Sequence, residues 1–154
     1  MAHFDELDKK IIRELQTNAR QTNKELAASA GIAPSTSLER VRSLQRKEVI
    51  NGYHATVNLR NIGRAAQALI AVRIQPPSRK TFTAFREWLI EQPEVIGVFV
   101  ISGSSDILVH VAVADTDALY AFVIDGLTQR SEVSDIQTSI VYEHVHKDVV
   151  EPTA

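Results

Sequence analysis

The spacing of apolar residues changes near residue 49, and this change constrains the fold more than any other feature of the sequence. Before it, leucine, isoleucine and valine recur every three or four residues, which is the spacing of amphipathic helices. After it, strand-like apolar runs alternate with helical patterns. The 154 residues are therefore predicted to form two parts, a helical one over 1–60 and an α+β one over 61–154.

Three helices are predicted in the first part, over residues 5–17, 23–30 and 34–47. Thr22 and Glu25 have the spacing of a capping box at the start of the second helix. Gly31 can adopt the left-handed conformation that ends it. Short helices joined by a tight glycine turn predict a helix-turn-helix, whose last helix enters the major groove of DNA.

The third helix carries side chains suited to reading DNA. Its apolar line is predicted to be Leu38, Val41 and Leu44, which leaves a polar and basic face opposite. Basic side chains neutralise phosphates, and short hydroxyl side chains near the helix start can reach base edges. The predicted DNA-binding residues are Ser35, Thr36, Ser37, Glu39, Arg40, Arg42, Ser43, Arg46 and Lys47.

The distribution of charge favours the same partner. Residues 1–60 hold ten Lys and Arg against seven Asp and Glu, a net charge of +3, whereas the remaining residues carry −5. A basic part joined to an acidic part indicates that the first meets a polyanion such as double-stranded DNA. At this point a small helical bundle with a solvated basic face remains the alternative.

The second part is predicted to have the order β-α-β-β-α-β, the ferredoxin-like split βαβ fold. A linker strand over 49–57 is expected to precede it. Residues 95–101 are apolar on both faces, although helices cover only one face of such a sheet. The apolar residues on the open face must be buried against another layer, and a second copy of the sheet is the simplest such layer. A homodimer is therefore predicted.

Other classes of function find little support. The chain has no cysteine, which excludes disulfides, thiolate metal sites and cysteine nucleophiles. No signal peptide or membrane span is readable, so we expect a cytoplasmic protein. No phosphate loop or nucleophile motif occurs, so neither an enzyme nor a cofactor is predicted. His144 and His146 could supply two metal ligands, but two do not complete a site, and no metal is predicted.

Several segments resemble the Lrp/AsnC (feast/famine) family, notably Leu38–Leu44 with Ile50–Tyr53. Val100–Gly103 followed by Asp106 is similar to that family's effector-binding, or RAM, domain. The resemblance implies a bacterial or archaeal, nucleoid-associated transcription factor with a plain or winged helix-turn-helix, a linker strand and the RAM domain. It also implies dimers that assemble further, commonly to octamers, and an amino acid as effector.

The resemblance further implies an effector site formed by a turn and the last strand. Where the family commonly has an acidic and then an aromatic residue after the glycine, this chain has two serines, so a charge that could hold an ammonium group is missing. The alternative function is an amino-acid-sensing regulatory subunit of an enzyme or other protein. The implied effector residues are Ser102, Gly103, Ser104, Ser105, Asp106, Gln137, Thr138 and Ser139.

Overall fold

The computed structural model describes residues 4–153, which form two compact units. The first unit extends to Thr56 and also takes in the chain from Val145 onward, and the second spans Val57–His144. The sequence analysis assigned all of 61–154 to the second part, whereas the last ten residues group with the first unit. Side-chain contacts with the first helix hold them there.

Three helices form the first unit, and the ends of the second match the predicted cap signals. Asp5 accepts a hydrogen bond from the Asp8 N–H at 2.8 Å, and Thr22 and Glu25 form the predicted reciprocal capping box. Gly31 has a φ of 72°, a left-handed conformation that favours glycine. Ile11, Leu15, Leu26 and Leu44 form the core. The helices are α1, Glu6–Thr17; α2, Asn23–Ala30; and α3, Pro34–Arg46.

The buried line of α3 differs from the predicted one at a single position. Val41 and Leu44 pack toward the core as predicted, but Leu38 is 40% exposed and Ser37 is fully buried. Positions 37, 41 and 44 fall within about 60° of the helix circumference, whereas 38, 41 and 44 spread over about 120°. The narrower stripe, formed by positions 37, 41 and 44, packs between α1 and α2. Ser37 therefore occupies the core position that was predicted for Leu38.

The segment between the units is not the predicted linker strand. Residues 51–57 have no regular secondary structure. A strand needs a neighbour for its backbone N–H and C=O groups, and no segment within 4–153 forms a ladder with these residues. The described part of the first unit likewise contains no strand, so its helix-turn-helix is plain rather than winged.

The second unit has the predicted split βαβ topology. Its four strands are all antiparallel and lie in the order β2-β3-β1-β4. The last helix, α5, loosens after its second turn into a π turn and then a 3-10 turn that ends at Gln129. The elements are β1, Ala66–Ile74; α4, Arg79–Glu91; β2, Val95–Val100; β3, Ile107–Val113; α5, Thr116–Ala121; and β4, Val133–Ile140.

The two faces of the sheet have different surroundings. Alternate residues of β1 and β3, from Ala68 to Ile74 and from Ile107 to Val113, pack against Phe85 and Leu89 of α4 and form the core. The residues between them form the open face, which no described element covers with a second layer. No helix within 4–153 has the length and apolar character required to cross a membrane.

Candidate DNA-binding face and ligand-binding turn

Helix α3 presents an exposed row of polar and basic side chains. Ser35, Thr36 and Glu39 are exposed near its start, and Arg42, Arg46 and Lys47 are exposed toward its end; Ser43 is half-buried. The Asn23 side-chain amide donates to the Pro34 carbonyl at 2.8 Å, which fixes the start of α3 against α2. The predicted DNA-binding residues therefore share one surface, with Ser37 and Arg40 as the two exceptions.

Arg40 connects α3 to α1 and does not stand free on the basic face. Its Nη1 donates to Asp5 Oδ2 at 2.6 Å and to Asp8 Oδ1 at 2.8 Å. The carboxylates of Asp8 and Asp5 raise the pKa of Arg40, and the Asp8 N–H and then Arg40 lower the pKa of Asp5. Because its Nη1 is engaged within the unit, we expect Arg40 to act as a brace between helices rather than as a phosphate ligand.

We expect Arg40→Ala to destabilise the first unit by about 1 kcal/mol, since the ion pair is partly exposed and such pairs contribute modestly. Thermal unfolding measures this effect. The slope of DNA affinity against salt concentration should stay the same, because no phosphate contact is lost. A slope that falls by about two for Arg40→Ala, one contact from each chain of the predicted dimer, would instead identify Arg40 as a phosphate ligand.

Ser37 is the other departure from the predicted DNA-binding set. Its side chain is fully buried, and its Oγ has no hydrogen-bond partner among residues 4–153. A buried side chain cannot contact a base or phosphate. The helical stripe that places it inside was not recognised from sequence because a serine at position 37 reads as polar surface.

Ser37→Ala is expected to stabilise the protein by about 1 kcal/mol, because it removes a buried hydroxyl that has no hydrogen-bond partner and leaves the β-carbon in place. The melting temperature should rise and DNA affinity should stay unchanged. A melting temperature that falls would mean that the hydroxyl is satisfied in solution. Ser35→Ala, on the exposed face, serves as the control for the change of residue type.

Arg46 forms the remaining ion pair on this face. Its Nη2 lies 2.9 Å from Glu39 Oε1, and both side chains are about two-thirds exposed, 63% and 65%. Pairs this exposed are weak and screened by salt. Arg46 can therefore exchange Glu39 for a phosphate with little loss of stability.

The turn from Ser102 to Asp106 joins β2 to β3. Gly103 has a φ of 133°, a conformation that side-chain-bearing residues rarely adopt. Asp106 anchors the turn, since its Oδ2 accepts from the Ile74 N–H at 2.8 Å and its own N–H donates to the Val72 carbonyl. Asp106 thus has a structural role, whereas Ser102, Gly103 and Ser104 are exposed and Ser105 is half-buried.

The second group of predicted effector residues lies on β4. Gln137, Thr138 and Ser139 are all exposed, but they do not share a face. Thr138 is opposite Ile70, a core residue of β1, whereas Gln137 and Ser139 are opposite residues of the open face. In the sheet order β1 separates β3 from β4, so one chain does not join the turn and β4 into a single pocket.

An apolar cavity of about 410 Å³ lies on the open face of the sheet. Leu69, Phe99 and Leu108 line it, and His110 lies within it. His110 Nε2 is 3.0 Å from Gln67 Oε1, and its ring meets that of His144 edge-on at 5.5 Å. Burial, and then the neighbouring His144, lower the pKa of His110, which favours its neutral form.

Two sets of contacts were not identified from sequence. Asp5 and Asp8 hold Arg40 across two helices. The bond between His110 and Gln67 spans two strands, so the register of β1 on β3 had to be known to find it.

No group of three or more His, Asp or Glu within 4–153 has a metal-binding arrangement.

Comparison with known proteins agrees with this architecture. The AsnC-type helix-turn-helix domain matches residues 4–45, and the Lrp/AsnC ligand binding domain matches residues 67–150. The HTH-type transcriptional regulator AldR of Mycolicibacterium smegmatis is 37% identical, covering 92% of this chain and 83% of that protein. The leucine-responsive regulatory protein of Rhizobium meliloti is 34% identical, covering 92% and 91%.

The solved structures give the same result. The crystal structure of a transcriptional regulator from Neisseria meningitidis in complex with L-Met has a TM-score of 0.87 and 30% identity, covering 94% of each chain. A helix-turn-helix joined to a ligand-binding domain defines a class of transcriptional regulators. This chain belongs to the Lrp/AsnC family, a family of regulators and not of enzymes.

Proposed function

We propose that this protein regulates transcription as a homodimer that binds duplex DNA through α3 and an amino acid through its second unit. The observation that carries the proposal is the exposed face of α3, where three basic side chains lie beside short hydroxyl side chains. Arg42, Arg46 and Lys47 would neutralise phosphates, and Ser35, Thr36 and Glu39 would reach base edges. The protein would act in the cell compartment that contains the DNA.

The class of effector rests on the turn and strand described above. The match to a ligand-binding domain and the L-Met complex of the Neisseria relative support an amino acid. The free hydroxyls of Ser104 and Ser105 can hydrogen-bond a carboxylate or an ammonium group. Because one chain does not bring the turn and β4 together, the complete site would use Gln137–Ser139 of another copy, which agrees with assembly beyond a dimer, including an octamer.

A thermal-shift panel of the twenty amino acids tests the effector class. A ligand at 100 times its Kd stabilises a protein by about 2.7 kcal/mol, which raises the melting temperature by several degrees. One selective hit that also changes DNA affinity would support the proposal. A flat panel, with DNA binding intact, would exclude amino acids as the effector class.

The alternative of a sensing subunit for a protein partner has weaker support, because the first unit matches a DNA-binding helix-turn-helix domain. The two proposals differ in one measurement. A regulator binds duplex DNA at moderate salt, and its DNA affinity falls steeply as the salt concentration rises. A protein-docking module shows no such steep fall in DNA affinity with salt.

The open face of the sheet is the proposed dimer interface. Phe99 is 53% exposed beside Leu108, its partner in the register, and an apolar face of this extent is unusual on a monomer. In a dimer with twofold symmetry, the open face of one copy would pack against the same face of the other and cover the cavity. His110 would then be more deeply buried than in one chain.

We expect the dimer to weaken as the pH falls from 7.5 to 5.5. Burial already lowers the pKa of His110 in one chain, and the deeper burial in a dimer would lower it further, so protonation favours the separated chains. Dimer stability should therefore be lost as the pH falls through the His110 pKa of the separated chain, which lies below the ordinary histidine value of about 6.5. His144 and Glu143 line the same cavity, and the Glu143 carboxylate would partly offset the effect. Sedimentation at both pH values should show a dimer Kd that rises roughly tenfold.

His110→Gln is the variant that tests this assignment, since a carboxamide can keep the bond to Gln67 and does not titrate. The pH dependence should become much smaller in this variant. His54→Gln, an exposed histidine of the first unit, is the control and should behave like the parent protein. An equal pH dependence in all three proteins would contradict the role of His110.

A further inference from the structure

The C-terminal segment contacts α1 through a two-point hydrogen bond. Gln16 Nε2 donates to the Val150 carbonyl at 2.9 Å, and the Val150 N–H donates to Gln16 Oε1 at 2.9 Å. One side-chain amide therefore satisfies both backbone groups of one residue, as a neighbouring strand would. Arg13 also pairs with Glu151, so the contact has a fixed register along the segment.

The surface of α1 that receives this segment is separate from its buried face. Ile11 and Leu15 face the core of the unit, whereas Arg13 and Gln16 lie about a quarter to half a turn away. The segment also forms one wall of a cleft of about 510 Å³, whose other walls are α1 and residues 49–54. The contact uses polar groups on a helix surface, outside the hydrophobic core.

The composition of the contact makes it reversible. Val150 is 62% exposed and Glu151 is exposed, whereas Val149 and Pro152 are half-buried, so the segment buries only part of its apolar surface. Exposed hydrogen bonds and ion pairs contribute little net stability. Binding and release are therefore close in free energy, which is a property required of a regulatory contact.

We propose that α1 is a docking surface for the chain's own residues 149–152, and that docking of this strap raises the affinity of the first unit for DNA. The second unit ends at His144, so the chain that leaves it returns to the first unit, where hydrogen bonds and an ion pair hold the strap to α1. The strap holds the C-terminal half of α1, and Asp8 of the same helix holds Arg40 of α3. Docking thus fixes the helix that positions the DNA-binding face.

The proposal rests on DNA binding through α3 and is tested with the full chain. Gln16→Ala removes both hydrogen bonds to Val150. Gln21→Ala is the matched control, because the Gln21 carboxamide bonds only locally, to the Asn18 carbonyl at 3.1 Å. Exchange of the Val150 amide proton, followed by NMR, reports docking directly, and titration of a labelled duplex reports affinity for DNA.

We expect Gln16→Ala to speed exchange at Val150 and to weaken DNA binding about fivefold, which is within the usual range of coupling between sites. By the same coupling, DNA should slow the exchange at Val150 in the parent protein. The proposal is overturned if Gln16→Ala frees the strap with no change in affinity, if it leaves Val150 exchange unchanged, or if Gln21→Ala has the same effect. A parent protein that does not bind DNA would overturn the proposed function itself.

Discussion

Replacing Arg42, Arg46 and Lys47 together with alanine is expected to weaken binding to duplex DNA by at least about 100-fold near 0.15 M salt. Each phosphate contact releases about 0.9 of a condensed counterion, so the loss of three contacts from each chain of the dimer should lower the slope of log affinity against log salt by about 5.4. The three side chains are exposed, and their removal leaves the core of the unit intact. Fluorescence anisotropy over a series of salt concentrations measures both quantities.

A control variant with the same change in net charge separates the loss of phosphate contacts from the loss of overall positive charge. Arg79, Lys80 and Arg86 are exposed on α4 of the second unit. Their triple alanine variant should keep most of the affinity and nearly all of the slope. Equal losses in the two variants would show that net charge, and not the face of α3, determines DNA binding.

Phe99→Glu is expected to convert the dimer into monomers at micromolar concentration. The side chain is exposed in one chain, so the monomer should fold, but a second copy would bury the new carboxylate against Leu69 and Leu108. Burial of an unpaired charge is strongly unfavourable, and we expect the dimer Kd to rise by about 100-fold or more. Light scattering coupled to gel filtration measures the mass directly.

Loss of the dimer has a second consequence, because two linked helix-turn-helix units bind paired half-sites more tightly than one unit does. DNA affinity of Phe99→Glu should therefore fall as well. Ile90→Glu is the matched control: Ile90 is 65% exposed on α4, on the covered side of the sheet. A dimer that survives Phe99→Glu but not Ile90→Glu would place the interface on the helical layer.

Much of the fold follows from local signals in the sequence. The capping box at Thr22 and the glycine at position 31 set the ends of α2, and the order of strands and helices in the second unit is as predicted. These features depend on neighbours within a few residues. The family resemblance, drawn from the same residues, is confirmed by both domain matches.

The features that sequence reasoning missed depend on contacts distant in the chain. Arg40 lies 35 residues from Asp5, and Gln16 lies 134 residues from Val150. Helical periodicity identified a basic face but could not show that one arginine on it was already paired. Ser37 was misplaced because a polar residue in a core position carries no hydrophobic signal. The roles of the effector residues remain predictions.

Selection of DNA sequences from a random duplex library by the full-length protein tests the central claim most directly. We expect enriched sites with two half-sites one helical turn apart, about 10 base pairs, since a dimer presents two α3 helices to one side of the duplex. The Arg42, Arg46 and Lys47 triple variant should enrich nothing above background. No enriched sequence with the parent protein, or the same sites with the triple variant, would contradict DNA reading by α3.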